Sequence, residues 1–134
     1  MAPKGVITGR ITADELKQIE YGFSIAKKIA DMDIGLSVAI KDYSVVAVEA
    51  MEGTDECIKR AGVLLNGESF IIVKVSRTNQ DFRFDLPVIG SKTLEIAYGA
   101  GAKIIAVESF KTIIVEKEQT LACARRLDMS ILGV

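Results

Sequence analysis

Leu16, Ile19, Phe23, Ala26 and Ala30 recur at three- and four-residue steps, the period of one face of a helix. Thr12 followed by Glu15 has the spacing of a capping box, and Asp33-Ile34-Gly35 ends the run. A helix therefore begins at Thr12, and its apolar face should lie on a sheet. From Ser37 the pattern changes. Residues 37–49 hold two β-rich runs split by Asp42-Tyr43-Ser44, which predicts a hairpin. A second helix follows, with Thr54 as N-cap, Asp55 and Glu56 at the positive end of its dipole, and Cys57, Ile58, Ala61 and Leu64 on its buried side. Asn66-Gly67 closes it. Residues 69–75 read as a strand, and residues 1–9 contain no clear element.

After Gly90 the pattern returns: a helix over 91–99, a strand over 103–108, a turn at 109–111, a strand over 112–116, a helix over 118–127 and a short strand over 130–133. Residues 38–49 can be set over 105–116 without a gap. The order αββαβ thus occurs twice, unless two Val/Ile-rich hairpins merely look alike. Either way the expected fold is an α/β domain, a mixed sheet with packed helices, in which residues 74–90 join the two halves.

The totals narrow the function. A chain of 134 residues fits one domain with a real core. Seventeen basic against eighteen acidic residues give a net charge of −1, with no long basic run, so nucleic acid is not expected as a partner. There is no histidine, which removes imidazole catalysis and His-ligated zinc from within this chain. Cys57 and Cys123 form no CxxC pair and read as buried free thiols in a reducing, cytoplasmic setting. No apolar run approaches the roughly 18–20 residues that span a bilayer, and residues 1–9 lack a signal-peptide h-region, so a cytoplasmic location is expected. Hydrophobic residues make up 49% and mean hydropathy is +0.30. An apolar face covered by another domain or subunit explains that richness; a Val/Ile-rich sheet core explains it equally.

Two stretches carry candidate chemistry. In residues 74–90, Lys74, Arg77 and Arg83 alternate with Asp81 and Asp85. In extended chain Asp81, Arg83 and Asp85 point one way while Phe82, Phe84 and Leu86 point the other. Carboxylates for a hard divalent cation beside cations for phosphate oxygens are the ingredients of metal-assisted phosphoryl chemistry; a solvated loop with surface ion pairs is the alternative. The second stretch is residues 49–55, where Gly53-Thr54 opens a helix whose N–H groups could receive a phosphate, or could simply be capped. No GxGxxG or GxxxxGK[ST] accompanies either.

The segment Ala47-Val48-Glu49-Ala50-Met51-Glu52-Gly53-Thr54-Asp55 resembles the UDP-2,3-diacylglucosamine pyrophosphatases of the LpxI type, as do Lys74, Gln80-Asp81, Arg83-Phe84-Asp85-Leu86-Pro87-Val88-Ile89-Gly90, Thr93 and Ile105-Ala106-Val107-Glu108. The resemblance covers nearly the whole chain, with departures at Leu36, Arg77-Thr78 and Ser109-Phe110. It implies that residues 1–134 correspond to that family's C-terminal domain, without its N-terminal Rossmann-like half. The implied reaction is magnesium-assisted hydrolysis of UDP-2,3-diacylglucosamine to UMP and 2,3-diacylglucosamine 1-phosphate in lipid A biosynthesis, at the cytoplasmic side of the inner membrane. The family's catalytic aspartate falls on Asp85, with Asp81 a competitor for the metal. Lys74, Gln80, Arg83, Gly53, Thr54 and Thr93 would bind substrate, and Glu49, Glu52 and Asp55 could join the aspartates around Mg2+. Expected partners are the diacylated UDP-sugar, the missing domain or another subunit, a second copy in a homo-oligomer, and the membrane surface. Whether the isolated chain turns over stays open, and a non-catalytic lipid-phosphate-binding or oligomerisation module is the alternative.

Overall fold

The computed structural model describes residues 1–79 and 86–134. The capping box is present: the Thr12 hydroxyl accepts from the Glu15 N–H, the Glu15 carboxylate accepts from the Thr12 N–H, and α1 (Ala13–Asp31) follows. The predicted hairpin is β2 (Ser37–Lys41) and β3 (Ser44–Val48). Asp42 and Tyr43 at its tip both have positive φ, as a two-residue turn matched to strand twist requires. The Tyr43 hydroxyl donates to Asp14 Oδ1 at 2.8 Å, tying the hairpin tip to α1. Then come α2 (Thr54–Leu64), β4 (Phe70–Lys74), β5 (Val88–Ile89), α3 (Ser91–Ala100), β6 (Ala102–Val107), β7 (Ile113–Ile114), α4 (Lys117–Arg126) and β8 (Ser130–Gly133).

Among the described residues six strands form one mixed sheet, in the order β1-β8-β6-β4-β2-β3, and β5 pairs with β7 in a second, two-stranded sheet. Here β1 is Gly5–Thr8, within the stretch that shows no element in sequence. It adds to β8 in antiparallel fashion, Val6 opposite Leu132, and Ala2 is wholly buried with its N–H on the Thr112 carbonyl at 2.8 Å. Four residues with two glycines bounding them carry too little periodicity to register as a strand; the open edge of β8 makes them one.

The order αββαβ does recur, as α1-β2-β3-α2-β4 and α3-β6-β7-α4-β8, but its pairing does not. β3 pairs with β2, whereas β7 leaves the main sheet for β5. The reason is edge availability. Both edges of β6 are taken, by β4 and β8, each parallel to it, so no ladder is left for a hairpin partner.

Side chains alternate across the sheet and divide the core. Val38, Ile40, Ile71, Val73, Val75, Ile104 and Ala106 pack with Ile19, Ala26 and Ala30 of α1 on one face. Ala39, Ile72, Ile105, Val107 and Ile131 pack with Cys57, Ile58, Ala61, Leu94, Ala97, Cys123 and Ala124 of the other three helices on the opposite face. The single helix leaves part of its face open. An apolar groove of about 630 Å³, lined by Val6, Leu16, Phe23 and Leu132 among others, runs between α1 and the β1/β8 edge. No described helix is long and apolar enough to cross a membrane.

Candidate functional site

Strand directions bring the candidate residues to one rim. β3 and β4 are both antiparallel to β2, and β4, β6 and β8 are mutually parallel. Val48, Lys74, Val107 and Gly133 therefore end their strands at the same edge of the sheet. α2 opens there after β3, α3 opens after β5, and α1 closes there because Ser37, which follows it, pairs with Lys74. Among the described residues no side chain caps α2 or α3. Their first-turn N–H groups and positive dipole ends face the carboxyl ends of the strands, where α/β folds commonly bind anions.

Lys74 sits at the centre of this rim. It is partly buried, and its ammonium donates to the Val88 carbonyl at 3.0 Å, linking β4 to β5. Burial lowers its pKa below the ordinary lysine value, while the negative charges of Glu49 and Asp55 pull it back up. Those opposing charges place Glu49 and Asp55 in one electrostatic neighbourhood with Lys74. Glu49 is held by α2: the Thr54 hydroxyl donates to Glu49 Oε1 at 3.0 Å and lies 3.2 Å from the Ser37 hydroxyl. Thr54 is thus the first residue of α2 and not its N-cap. That place belongs to Gly53, at φ 90°, a backbone conformation glycine adopts without penalty, and the Thr54 hydroxyl is spent on Glu49 instead.

Glu52 is committed differently. Arg60 donates to Glu52 Oε2 at 2.6 Å and the Ala50 N–H donates to Oε1, and these two donors, the Ala50 N–H foremost, lower its pKa. Its carboxylate closes the loop before α2. Thr93 stands half-buried in the first turn of α3. Gln80, Asp81, Arg83 and Asp85 lie outside the described residues, as does the expected alternation of charged and aromatic side chains over 81–85. On either side of that span, Thr78 is bonded to Asp31 at the close of α1 and the Val88 carbonyl accepts from Lys74.

Four residues at this rim are not singled out by the sequence. Ser37 is fully buried beside Thr54. Gly35 approaches the Glu49 carbonyl so closely that no Cβ would fit. Asp33 pairs with Arg77 at 3.0 Å, and Asp31 accepts from the Thr78 N–H at 2.8 Å and from its hydroxyl at 2.6 Å. The clue available in sequence was only that Asp31, Asp33 and Gly35 crowd one helix end. A shallow cavity of about 240 Å³ lies here, bordered by Asp33, Gly35, Leu36, Glu49 and Arg77.

Among the described residues no three acidic or cysteine side chains converge as a preformed metal cage. Magnesium, however, is commonly held by one or two carboxylates, with phosphate oxygens and water completing its shell. Of the carboxylates at this rim, Glu52 is engaged by Arg60 and the Ala50 N–H, and Glu49 Oε1 by the Thr54 hydroxyl.

The family described as the LpxI C-terminal domain matches residues 3–132. The UDP-2,3-diacylglucosamine pyrophosphatase LpxI of Caulobacter vibrioides is 31% identical over 128 residues, which cover 90% of this chain and 46% of the relative. The chain thus spans about half the length of that protein. With a family match over residues 3–132, the chain belongs to the LpxI C-terminal domain family.

Proposed function

We propose that this chain supplies the phosphate-handling part of a pyrophosphatase that hydrolyses UDP-2,3-diacylglucosamine to UMP and 2,3-diacylglucosamine 1-phosphate, a step of lipid A biosynthesis at the cytoplasmic face of the membrane. The observation that carries this reading is the partly buried Lys74 at the carboxyl end of β4, within the field of Glu49 and Asp55, with the uncapped start of α2 at the same rim. A cation that has lost part of its water gains most from an incoming dianion, and helix N–H groups add donors at fixed positions. The substrate follows from the name of the Caulobacter relative.

In this reading Lys74 neutralises one phosphate, Gly53 and Thr54 present backbone N–H groups to another, and Arg83, Gln80 and Thr93 complete the substrate contacts. Asp85, with Asp81, acts on the diphosphate. Magnesium, held by Asp85 or Asp81 with Glu49 or Asp55, would withdraw charge from the phosphoryl oxygens. The remaining part of the longer protein, or a second subunit, would close the other side of the rim.

The test is UMP release from UDP-2,3-diacylglucosamine with and without magnesium, by this chain and by a full-length protein containing it. Asp85→Asn should abolish turnover by a factor of about 100 or more with unchanged circular dichroism, as expected for a group acting in the transition state. Absence of UMP from folded wild-type protein of both lengths would refute the assignment.

A further inference from the structure

Glu108 lies one residue beyond β6, on the α1 side of the sheet, and is buried to 5% exposure. Both its oxygens accept from Lys27 of α1 at 3.1 Å. Glu108 Oε1 also accepts from the Ser76 hydroxyl at 3.1 Å and the Ser76 N–H at 3.3 Å, while the Lys27 ammonium donates to the Ser76 carbonyl at 2.7 Å. One ion pair thus engages every polar group of Ser76, two residues after Lys74. Thr78 is then taken by Asp31 through both its N–H and its hydroxyl, and Arg77 by Asp33.

We propose that Glu108, Lys27 and Asp31 form a clasp that sets the backbone of residues 76–78, and that they are positioning residues for the pyrophosphatase reaction, a role that rests on the function proposed above. Stability alone is a poor account of the cluster. A buried ion pair recovers little beyond its desolvation cost, and apolar side chains of similar volume usually serve as well. What directional bonds to Ser76 and Thr78 supply is a fixed path for the chain as it leaves β4. The Glu108 N–H also donates to the Lys74 carbonyl at 3.1 Å, so the clasp and the phosphate cation share one stretch of backbone. On the other side of the sheet, β5 and β7 hold residues 88–89, with the Lys74 ammonium on Val88. The chain that carries Asp81 and Asp85 therefore starts from one anchored point and returns to another. Misplacement by about 1 Å can cost roughly a hundredfold in rate, which gives the three side chains of the clasp a functional reason to converge.

Glu108→Gln keeps size and removes the charge; Asp31→Asn loosens the same clasp from an exposed position whose loss leaves the core intact. Each is compared with wild type for kcat and KM of UMP release, for melting temperature, and for amide hydrogen exchange at Ser76 and Thr78. The expected result is a fall in kcat of roughly ten- to a hundredfold, KM within about twofold, and faster exchange at those amides, measured well below the melting temperature. Full kcat in folded Glu108→Gln and Asp31→Asn, against an active wild type, overturns the positioning role and leaves the pyrophosphatase reading standing. A wild type that releases no UMP overturns both. Should Glu108→Gln fail to fold, Asp31→Asn decides by the same criteria.

Discussion

Lys74 has a charge that folding weakens, and the consequence can be measured. Burial is the main cause of its lowered pKa, so between that value and the ordinary one the unfolded chain binds more protons than the folded chain. By linkage, stability rises with pH through this window, just below the unfolded lysine's titration. Lys74→Met should flatten that rise in urea titrations run from neutral pH upward. Inorganic pyrophosphate should also bind wild type more weakly as pH climbs through the same window, and Lys74→Met should bind it weakly at every pH, as read by calorimetry. At this scale the sequence displayed residue types and little else. Lys74, Glu49 and Asp55 are recognisable as phosphate chemistry, yet Glu52, of the same type and three residues from Glu49, is tied to Arg60. Which side-chain partner the folded chain delivers decides such roles, and residue type alone does not encode it.

At the level of elements, helix and hairpin positions follow from local rules, and close packing adds terms the local rules lack. Gly22 lies on the buried side of α1, and a Cβ there would come within 2.8 Å of Ile40 Cγ1 and 3.0 Å of Val73 Cγ2. Helix propensity favours alanine at this position by about 1 kcal/mol, but overpacking near the root of Ile40 works against it. Gly22→Ala should therefore lower unfolding stability by about 1–2 kcal/mol in chemical denaturation. The capping box at Thr12 and the Asp42-Tyr43 turn were legible because their signals lie within four residues. β1 and the pairing of β7 were not, because a strand's partner depends on which edges remain open. Thr54 shows the same limit. Its hydroxyl suits an N-cap by type, but the chain turns at Gly53 and delivers that hydroxyl to Glu49.

Among the described residues of the whole molecule, the six-stranded sheet has three helices on one face and one on the other, and both cysteines belong to the three-helix side. Cys57 and Cys123 are buried free thiols, and burial pushes the Cys57 pKa up to about 11. At pH 8 the Cys57 thiolate is scarce as well as shielded. A thiol reagent should leave Cys57 unmodified in the native protein and label it only along the global unfolding transition in urea. Composition and periodicity determined by themselves that this is an α/β domain with a Val/Ile-rich core, that these 134 residues contribute no imidazole, and where most helices and strands begin. These properties depend on short-range sterics, caps and the burial of alternating side chains. Tertiary structure alone decided that the carboxyl ends of β3, β4, β6 and β8 share one rim with the start of α2 and the close of α1, and that Lys27, Asp31 and Glu108 meet the chain leaving β4. Strand order and direction set those meetings, and they are settled by competition for sheet edges across the whole chain.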